Sequence, residues 1–203
     1  MRKLYTFMYR VGFVPWEMMQ NLPIATQIST LFDREEAGRQ PPYGRALDLG
    51  CGSGIWSVKL ATRGWDVTGV DFVPKALRRA RKRAQAAGVD VRFVHGDAAQ
   101  LDSDRVGSGF RLVIDFGAIH GLTPAQREAV GRNVSAVATP DASVMILAAM
   151  PGHRGPLPSG MSRDEIETAF QDWRVVDEQP CDMTGAPGPI KNMDQRFYRL
   201  RRN

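Results

Sequence analysis

A chain of 203 residues with 43% apolar and 24% charged residues has the length and composition of one globular domain with a full core. Its apolar stretches are short and interrupted, which excludes a bilayer-spanning helix; the composition equally excludes disordered and collagen-like chains. The formal charge of +5 and pI of about 9.6 admit a nucleic-acid partner, but most of the 27 basic residues are arginine in an Ala- and Gly-rich chain, a bias that a GC-rich coding genome also produces.

Residues 1–44 read as an N-terminal helical lid or cap segment. Charge in Met1-Arg2-Lys3-Leu4 is followed by Tyr5, Thr6, Tyr9 and Arg10, which break any signal-peptide core, and no small-residue cleavage site follows; a cytoplasmic protein is expected. Phe7, Val11, Val14, Trp16, Met18, Met19 and Leu22 make the segment apolar, while Pro15, Pro23 and the Pro41-Pro42 pair punctuate it. Two readings stand: a helix covering one sheet face, or a lid over a site.

From residue 45 onward, short β-branched runs alternate with helical patterns, the mark of βαβ units and a mostly parallel sheet. Strands are predicted at Ala46–Leu49, Val67–Val70, Val91–Val94, Leu112–Ile114, Val144–Ala148, Val175–Val176 and Arg196–Leu200. Ile55–Arg63 and Pro74–Ala87 read as helices closed by Gly64 and Gly88. Thr123-Pro124-Ala125-Gln126 and Ser162-Arg163-Asp164-Glu165 have the form of capping boxes that open two further helices. No helix separates the last two strands, so they should pair antiparallel. The expected fold is a Rossmann-like α/β three-layer sandwich, its seven-stranded sheet mostly parallel with the last strand antiparallel. Ligands of such sheets lie beyond the carboxyl ends of the strands.

Cys51 and Cys181, and His95, His120 and His153, match no metal-ligand spacing, so neither a disulfide framework nor a bound metal is expected. The basic run Arg78-Arg79-Ala80-Arg81-Lys82-Arg83 lies on a helix whose apolar stripe is Leu77, Ala80, Ala84 and Ala87, which assigns the arginines to the solvated face rather than to nucleic acid.

The most specific signal is Leu47-Asp48-Leu49-Gly50-Cys51-Gly52-Ser53-Gly54, between a strand and a helix. A nicotinamide fingerprint, G-x-G-x-x-G, would need glycine at Ile55; the third glycine is Gly54 instead. The carboxylate of Asp48 would repel a pyrophosphate and attract a sulfonium or ammonium group. Asp71 ends the second strand, where a carboxylate can accept from both ribose hydroxyls, and Asp97 follows the third, where one can accept from an adenine amino group.

Asp48-Leu49-Gly50-Cys51-Gly52-Ser53-Gly54, Val70-Asp71-Phe72 and Gly96-Asp97-Ala98 resemble the three cofactor motifs of class I S-adenosylmethionine-dependent methyltransferases. The resemblance makes residues 45–203 an S-adenosylmethionine-binding methyltransferase domain. It implies that Asp48, Gly50, Cys51, Gly52, Ser53 and Gly54 hold the methionine moiety, Asp71 the ribose, and Phe72, Asp97 and Ala98 the adenine. Tyr9-Arg10, Pro15-Trp16-Glu17, Asp115-Phe116-Gly117-Ala118-Ile119-His120 and Gly155-Pro156 are similar to small-molecule enzymes of the thiopurine and heterocyclic-toxin type. That likeness makes Trp16 a lid residue over the cofactor.

The acceptor is narrowed by what is missing. Asp115-Phe116-Gly117-Ala118 is no Asn/Asp-Pro-Pro-Tyr loop of amine and amide methylation, and neither cysteine is placed for cytosine C5 chemistry. Trp16, Phe116, Ile119, Leu157, Met161 and Met183 are expected to form an apolar acceptor site, suited to a flat aromatic or quinone-like molecule. His120 is the candidate general base, with Asp115 orienting its ring or contacting the cofactor. The expected reaction is methyl transfer from S-adenosyl-L-methionine to an O, N or S atom of a small molecule, leaving S-adenosyl-L-homocysteine, with no metal, no membrane and no nucleic acid as partner. A nucleic-acid or protein methyltransferase and a non-catalytic cofactor-binding module are the alternatives. No pattern in the sequence encodes an oligomeric state.

Overall fold

A computed structural model describes residues 2–152, 159–187, 190 and 193–203. In chain order the elements are α1 (Arg2–Val11), a 3-10 turn (Pro15–Asn21), α2 (Ile24–Glu36), β1 (Arg45–Leu49), α3 (Ile55–Arg63), β2 (Asp66–Asp71), α4 (Pro74–Ala87), β3 (Val91–His95), α5 (Ser103–Val106), β4 (Phe110–Phe116), α6 (Pro124–Val137), β5 (Ala138–Ala149), α7 (Arg163–Ala169), β6 (Trp173–Pro180) and β7 (Gln195–Arg202).

The strands form one sheet in the order β3-β2-β1-β4-β5-β7-β6. β1 pairs in parallel with β2 and β4, β2 with β3 and β4 with β5, whereas β7 runs antiparallel to both β5 and β6. The sequence expectation of no helix after β6 is not met at Ile190, which is helical, yet the reversed pairing of β7 is as expected for so short a link. Successive residues of the central strands feed opposite cores. Ala46, Leu112, Ile114, Met145, Leu147 and Phe197 pack with Ile28, Leu31, Phe32 and Leu60 of α2 and α3. Leu47, Val113, Val144, Ile146, Tyr198 and Leu200 pack with Val130, Val134 and Ile166 of α6 and α7. Both faces are covered, which is why the strands read as near-continuous apolar runs.

The predicted helix limits Ile55–Arg63 and Pro74–Ala87 coincide with α3 and α4, and both following glycines adopt the left-handed conformation. Both capping boxes form. Between α6 and α7 the helices approach so closely that a Cβ on Gly131 would lie 1.9 Å from the carbonyl oxygen of Ala169.

The segment before β1 divides into unlike parts. α2 is a structural layer, tied down by Glu35, which accepts from Ser143 Oγ at 2.6 Å and Arg199 Nε at 2.6 Å. α1 and the 3-10 turn lie instead across the carboxyl ends of β1 and β2, packed through Tyr9 against Val73 and Ala76. A single N-terminal unit is therefore too coarse a description, because Pro23 restarts the chain as a separate helix.

Candidate active site

The turn between β1 and α3 carries Gly50, Gly52 and Gly54, all at positive φ. At Gly50 a Cβ would meet Ala118 at 2.4 Å, and at Gly52 it would meet the Tyr9 hydroxyl at 2.6 Å, so the loop admits no side chain at either point. Arg83 of α4 braces the loop from behind by donating from Nε to the Ser53 carbonyl at 3.0 Å. That bond places one arginine of the basic run in a structural role, not on the solvated face.

Three aspartates converge on the strand ends, each almost wholly buried: Asp48 of β1, Asp71 of β2 and Asp115 of β4. Asp48 accepts a short hydrogen bond from Ser57 Oγ. Burial outweighs that donor, and with Asp115 and Asp71 nearby it pushes the Asp48 carboxyl up to about 7. Asp71 accepts from the N–H of Gly52 at 2.9 Å and of Val73 at 2.7 Å, and burial raises it despite them. These bonds lock β2 to the glycine loop and leave lone pairs on both carboxylate oxygens.

The Asp115 carboxylate accepts from the N–H groups of Gly117, Ala118 and Ile119, at 2.9–3.2 Å, which folds the chain after β4 into a tight turn. Asp115 is not among the residues that line the cavity. Burial pushes it up to about 6 against those three donors.

His120 lines the cavity, but its ring is set against the role of base. The N–H of Ala149 donates to Nδ1 at 3.1 Å, which places the proton of the neutral imidazole on Nε2. Protonating Nδ1 would set two N–H groups against each other. Arg127 of α6 fixes the same turn, donating to the carbonyl oxygens of His120 at 3.1 Å and Gly160 at 2.7 Å and pairing with Glu165 at 2.9 Å. His120 is thus a firmly held hydrogen-bond donor on the cavity wall.

A cavity of about 630 Å³ opens above these strand ends. It gathers Trp16, Asp48, Gly50, Cys51, Gly52, Ser53, Asp71, Phe72, Asp97, Ala98 and His120. Gly54 is not on its wall: a Cβ there would strike Ala80 at 2.9 Å and Phe93 at 3.0 Å, so this glycine serves the packing of α3 on α4 and β3. Cys51 contributes through its loop position, while its thiol packs over Gly69 and burial raises its pKa.

Of the apolar acceptor residues predicted, Trp16 and Phe116 reach the cavity. Ile119 and Met161 are fully buried in the opposite core, and Met183 packs behind the wall rather than on it. Leu157, Gly155 and Pro156 lie outside the described residues. The wall is completed by Met19, Ile55, Trp56, Leu147, Ile190 and Met193, with Gln195 among them. Trp56 was hidden in a helix pattern that gave it no distinction, although its edge meets Phe116 at 5.8 Å between ring centroids.

The largest omission from the sequence reading is the aromatic roof. Tyr5, Tyr9 and Trp16 interlock, with ring centroids 5.2 Å (Tyr5–Trp16) and 5.8 Å (Tyr9–Trp16) apart, and Trp16 Nε1 donates to the Tyr9 hydroxyl at 3.3 Å. Arg2 reaches Asp97 at 3.1 Å and lies over the Phe72 ring. The i, i+4 spacing of Tyr5 and Tyr9 was the available signal. One oxygen here has no hydrogen-bond partner although buried: Oε1 of Glu17, on the cavity wall. Such an atom is costly unless a ligand donor meets it.

Buried carboxylates, a glycine turn and an apolar cavity at one end of a 3-2-1-4-5-7-6 sheet coincide with a family match: the model of the methyltransferase domain aligns with residues 46–141. The match to the methyltransferase-domain family covers just under half of the chain, and the fold of the whole described chain is that of solved methyltransferases. Among curated relatives, a ubiquinone biosynthesis O-methyltransferase of Roseobacter denitrificans is 35% identical over 94 residues, 46% of this chain and 37% of its own length. The chain thus spans little more than a third of that relative. A 2-heptyl-1-hydroxyquinolin-4(1H)-one methyltransferase of Mycobacteroides abscessus is 29% identical over 175 residues, 82% of this chain and 71% of that one. Among solved structures, the 1,6-didemethyltoxoflavin-N1-methyltransferase of Burkholderia thailandensis, with bound S-adenosylhomocysteine, superposes with a TM-score of 0.75 at 22% identity, covering 100% of this chain and 87% of that one. The N-methyltransferase NodS of Bradyrhizobium japonicum gives 0.74 at 18%, covering 93% and 91%. Among the described residues, no cluster of three or more His, Cys, Asp or Glu could hold a metal ion, and no helix is long and apolar enough to cross a membrane.

Proposed function

We propose that this methyltransferase transfers a methyl group from S-adenosyl-L-methionine to an O, N or S atom of a small, flat, mainly apolar molecule. The observation that carries the reading is one cavity of about 630 Å³ with buried acids on one side and apolar and aromatic side chains on the other.

The residues fit the cofactor. Asp48 and the orphaned Oε1 of Glu17 suit a ligand bearing positive charge, and the side-chain-free turn at Gly50 and Gly52 lets such a ligand lie against the backbone. Asp71 retains acceptor capacity for two ribose hydroxyls, and Phe72, Asp97 and Ala98 suit an adenine. Cys51 and Ser53 complete the wall beside the methionine moiety, and Trp16 is the lid residue of residues 1–44, with residues 45–203 as the cofactor-binding domain. When bound, S-adenosylmethionine supplies an electrophilic methyl group on a sulfonium sulfur.

The protein's part is alignment and exclusion of water. Orientation of this kind supplies roughly 7–11 kcal/mol of a barrier. Phe116, Trp56, Leu147 and Met193 suit the faces of a planar acceptor, and His120 suits a carbonyl, phenolic or ring-nitrogen acceptor atom through its Nε2–H. No side chain of the cavity is assigned as a base. The relatives named for O-methylation in ubiquinone biosynthesis, for 2-heptyl-1-hydroxyquinolin-4(1H)-one and for 1,6-didemethyltoxoflavin support this acceptor class. Work on such a molecule in the cytoplasm, without nucleic acid, belongs to the same reading.

The test is transfer of labelled methyl from S-adenosylmethionine to a panel of phenols, hydroquinones, hydroxyquinolones and fused azaheterocycles. Turnover of at least one planar member, with none on oligonucleotides or proteins, is the expected result. Binding of the cofactor without turnover of any member would leave a non-catalytic module, and labelled nucleic acid or protein would reverse the acceptor class.

A further inference from the structure

One group of side chains has no part in the site. Five large apolar side chains among the described residues are exposed, and four of them lie between residues 7 and 18: Phe7, Val11, Phe13 and Met18. Phe7 and Val11 are one helical turn apart on α1, on the side away from Tyr5 and Tyr9, where Lys3 and Arg10 also point to solvent. Phe13 is 63% exposed at the turn out of α1, more than any other large apolar residue among those described.

The charges around this patch are mainly cationic; Glu17, beside Met18, has Oε1 buried and lines the cavity, and Arg2 pairs with Asp97. Residues 2–16 contain Arg2, Lys3 and Arg10 and no acid, and residues 72–89 contain Lys75, Arg78, Arg79, Arg81, Lys82 and Arg83 and no acid. The two stretches are joined in space. Lys75 Nζ donates to the Arg10 carbonyl at 3.0 Å, the Arg79 guanidinium covers the Tyr9 ring at 5.7 Å, and Arg79 also reaches Gly12. Arg78 and Lys82 of the same helix α4 are exposed. Exposed apolar side chains are therefore set into a field of cations. The inner face of the same helix, Leu4, Tyr5 and Met8, lines the cavity, so the patch borders the cavity mouth.

We infer that α1, the 3-10 turn and the exposed edge of α4 form an interfacial surface that docks on an anionic lipid bilayer, with Phe7, Val11, Phe13 and Met18 entering the headgroup boundary. Charge complementarity selects this partner. A second copy of the chain, meeting the same patch across a two-fold axis, would set cations against cations. Nucleic acid would satisfy the arginines but gives nothing to Phe7, Val11 and Phe13, whereas a basic helix with an exposed apolar side matches the interface of an anionic membrane. The surface lies on the membrane and does not span it. Where the proposed acceptor class holds, docking also presents the cavity mouth to planar molecules that partition into lipid; that consequence rests on the proposed function, while the docking itself does not.

The experiment is flotation of the full chain with vesicles of phosphatidylcholine alone and of phosphatidylcholine with phosphatidylglycerol. The wild-type chain should float with the anionic vesicles and not with the neutral ones, and raising salt from about 0.05 M to about 0.5 M should weaken the association. Phe7→Ser with Phe13→Ser should lower the partition coefficient at least about tenfold at low salt, through lost apolar insertion. Arg78→Glu with Lys82→Glu should do the same through charge. None of these four residues lines the cavity, so both variants should keep wild-type affinity for S-adenosylhomocysteine by calorimetry, which shows them folded and separates failure of the surface from failure of the site. No flotation of the wild-type chain with anionic vesicles overturns the inference. So does loss of flotation in neither variant. A dimer in solution dispersed by Phe13→Ser, without vesicle binding, assigns the patch to a second copy; salt-sensitive binding of duplex DNA by the chain, again without vesicle binding, assigns it to nucleic acid.

Discussion

Asp48 couples cofactor charge to pH, and the size of the coupling follows from the site. Buried below the cavity and raised to about 7 from an ordinary 3.8, it is half protonated in the ligand-free protein at neutral pH. A sulfonium beside it favours the ionised form, so a cation binds only as tightly as the ionised fraction allows. That fraction falls about tenfold between pH 8 and pH 6 for a group titrating near 7. The affinity for S-adenosylmethionine should therefore weaken about tenfold more than that for S-adenosylhomocysteine, whose thioether carries no charge. Calorimetry of both ligands at pH 6, 7 and 8, in buffers of different ionisation enthalpy, measures the ratio and the proton released. Asp48→Asn should flatten the profile. A ratio that stays constant across this range would refute the reasoning.

Other consequences are as direct. Because the native pKa of Asp48 lies above its unfolded value, the native state holds the extra proton between about pH 4 and pH 7, and ligand-free stability should decline as pH rises through that window. Asp48→Asn should accordingly raise the melting temperature of the ligand-free protein at pH 8, by a free energy on the order of 2–4 kcal/mol, while weakening the cofactor. Asp71→Ala strands the N–H groups of Gly52 and Val73 and removes the acceptor proposed for the ribose hydroxyls; calorimetry should show at least about tenfold weaker S-adenosylhomocysteine binding. His120→Ala should lower turnover by less than the roughly 10²–10⁴-fold of a lost base, and raising pH should restore none of it; a large loss recovered at high pH would reinstate the base. Gly131→Ala must part α6 from α7 and should cost at least about 2 kcal/mol by chemical denaturation.

The fold was legible because its signals are local. Glycine after the last position closed α3 and α4 as read, with Pro74 opening α4, and the short link after β6 agrees with the reversed β7. β5 was read short, since Ala138-Thr139-Pro140-Asp141 looks like a turn; pairing with β4 at Phe110 makes it strand. That Asp48, Asp71 and Asp97 meet at one cavity was legible for the same reason, since they stand at strand ends in sequence order. The apolar part of the cavity wall was not. Ile119 and Met161 are apolar residues in loops after strands, yet the turn that Asp115 ties and Arg127 pins swings them into the core and leaves His120 outward. The Arg127–Gly160 bond joins residues 33 positions apart, and no period or motif announces it. Tyr5 was not singled out, and Tyr9 and Glu17 entered only through a resemblance, because their place at the cavity comes from α1 folding back over Gly52, a long-range contact.

The central claim, that the acids at the ends of β1 and β2 and the roof of Trp16 enclose an S-adenosyl ligand, is tested most directly by titrating the wild-type chain with S-adenosylhomocysteine while following tryptophan fluorescence. The account predicts saturable binding at one site per chain, a change in emission that Trp16→Phe diminishes, and loss of affinity in Asp71→Ala. No binding by the folded wild-type chain, or binding untouched by both substitutions, would contradict it.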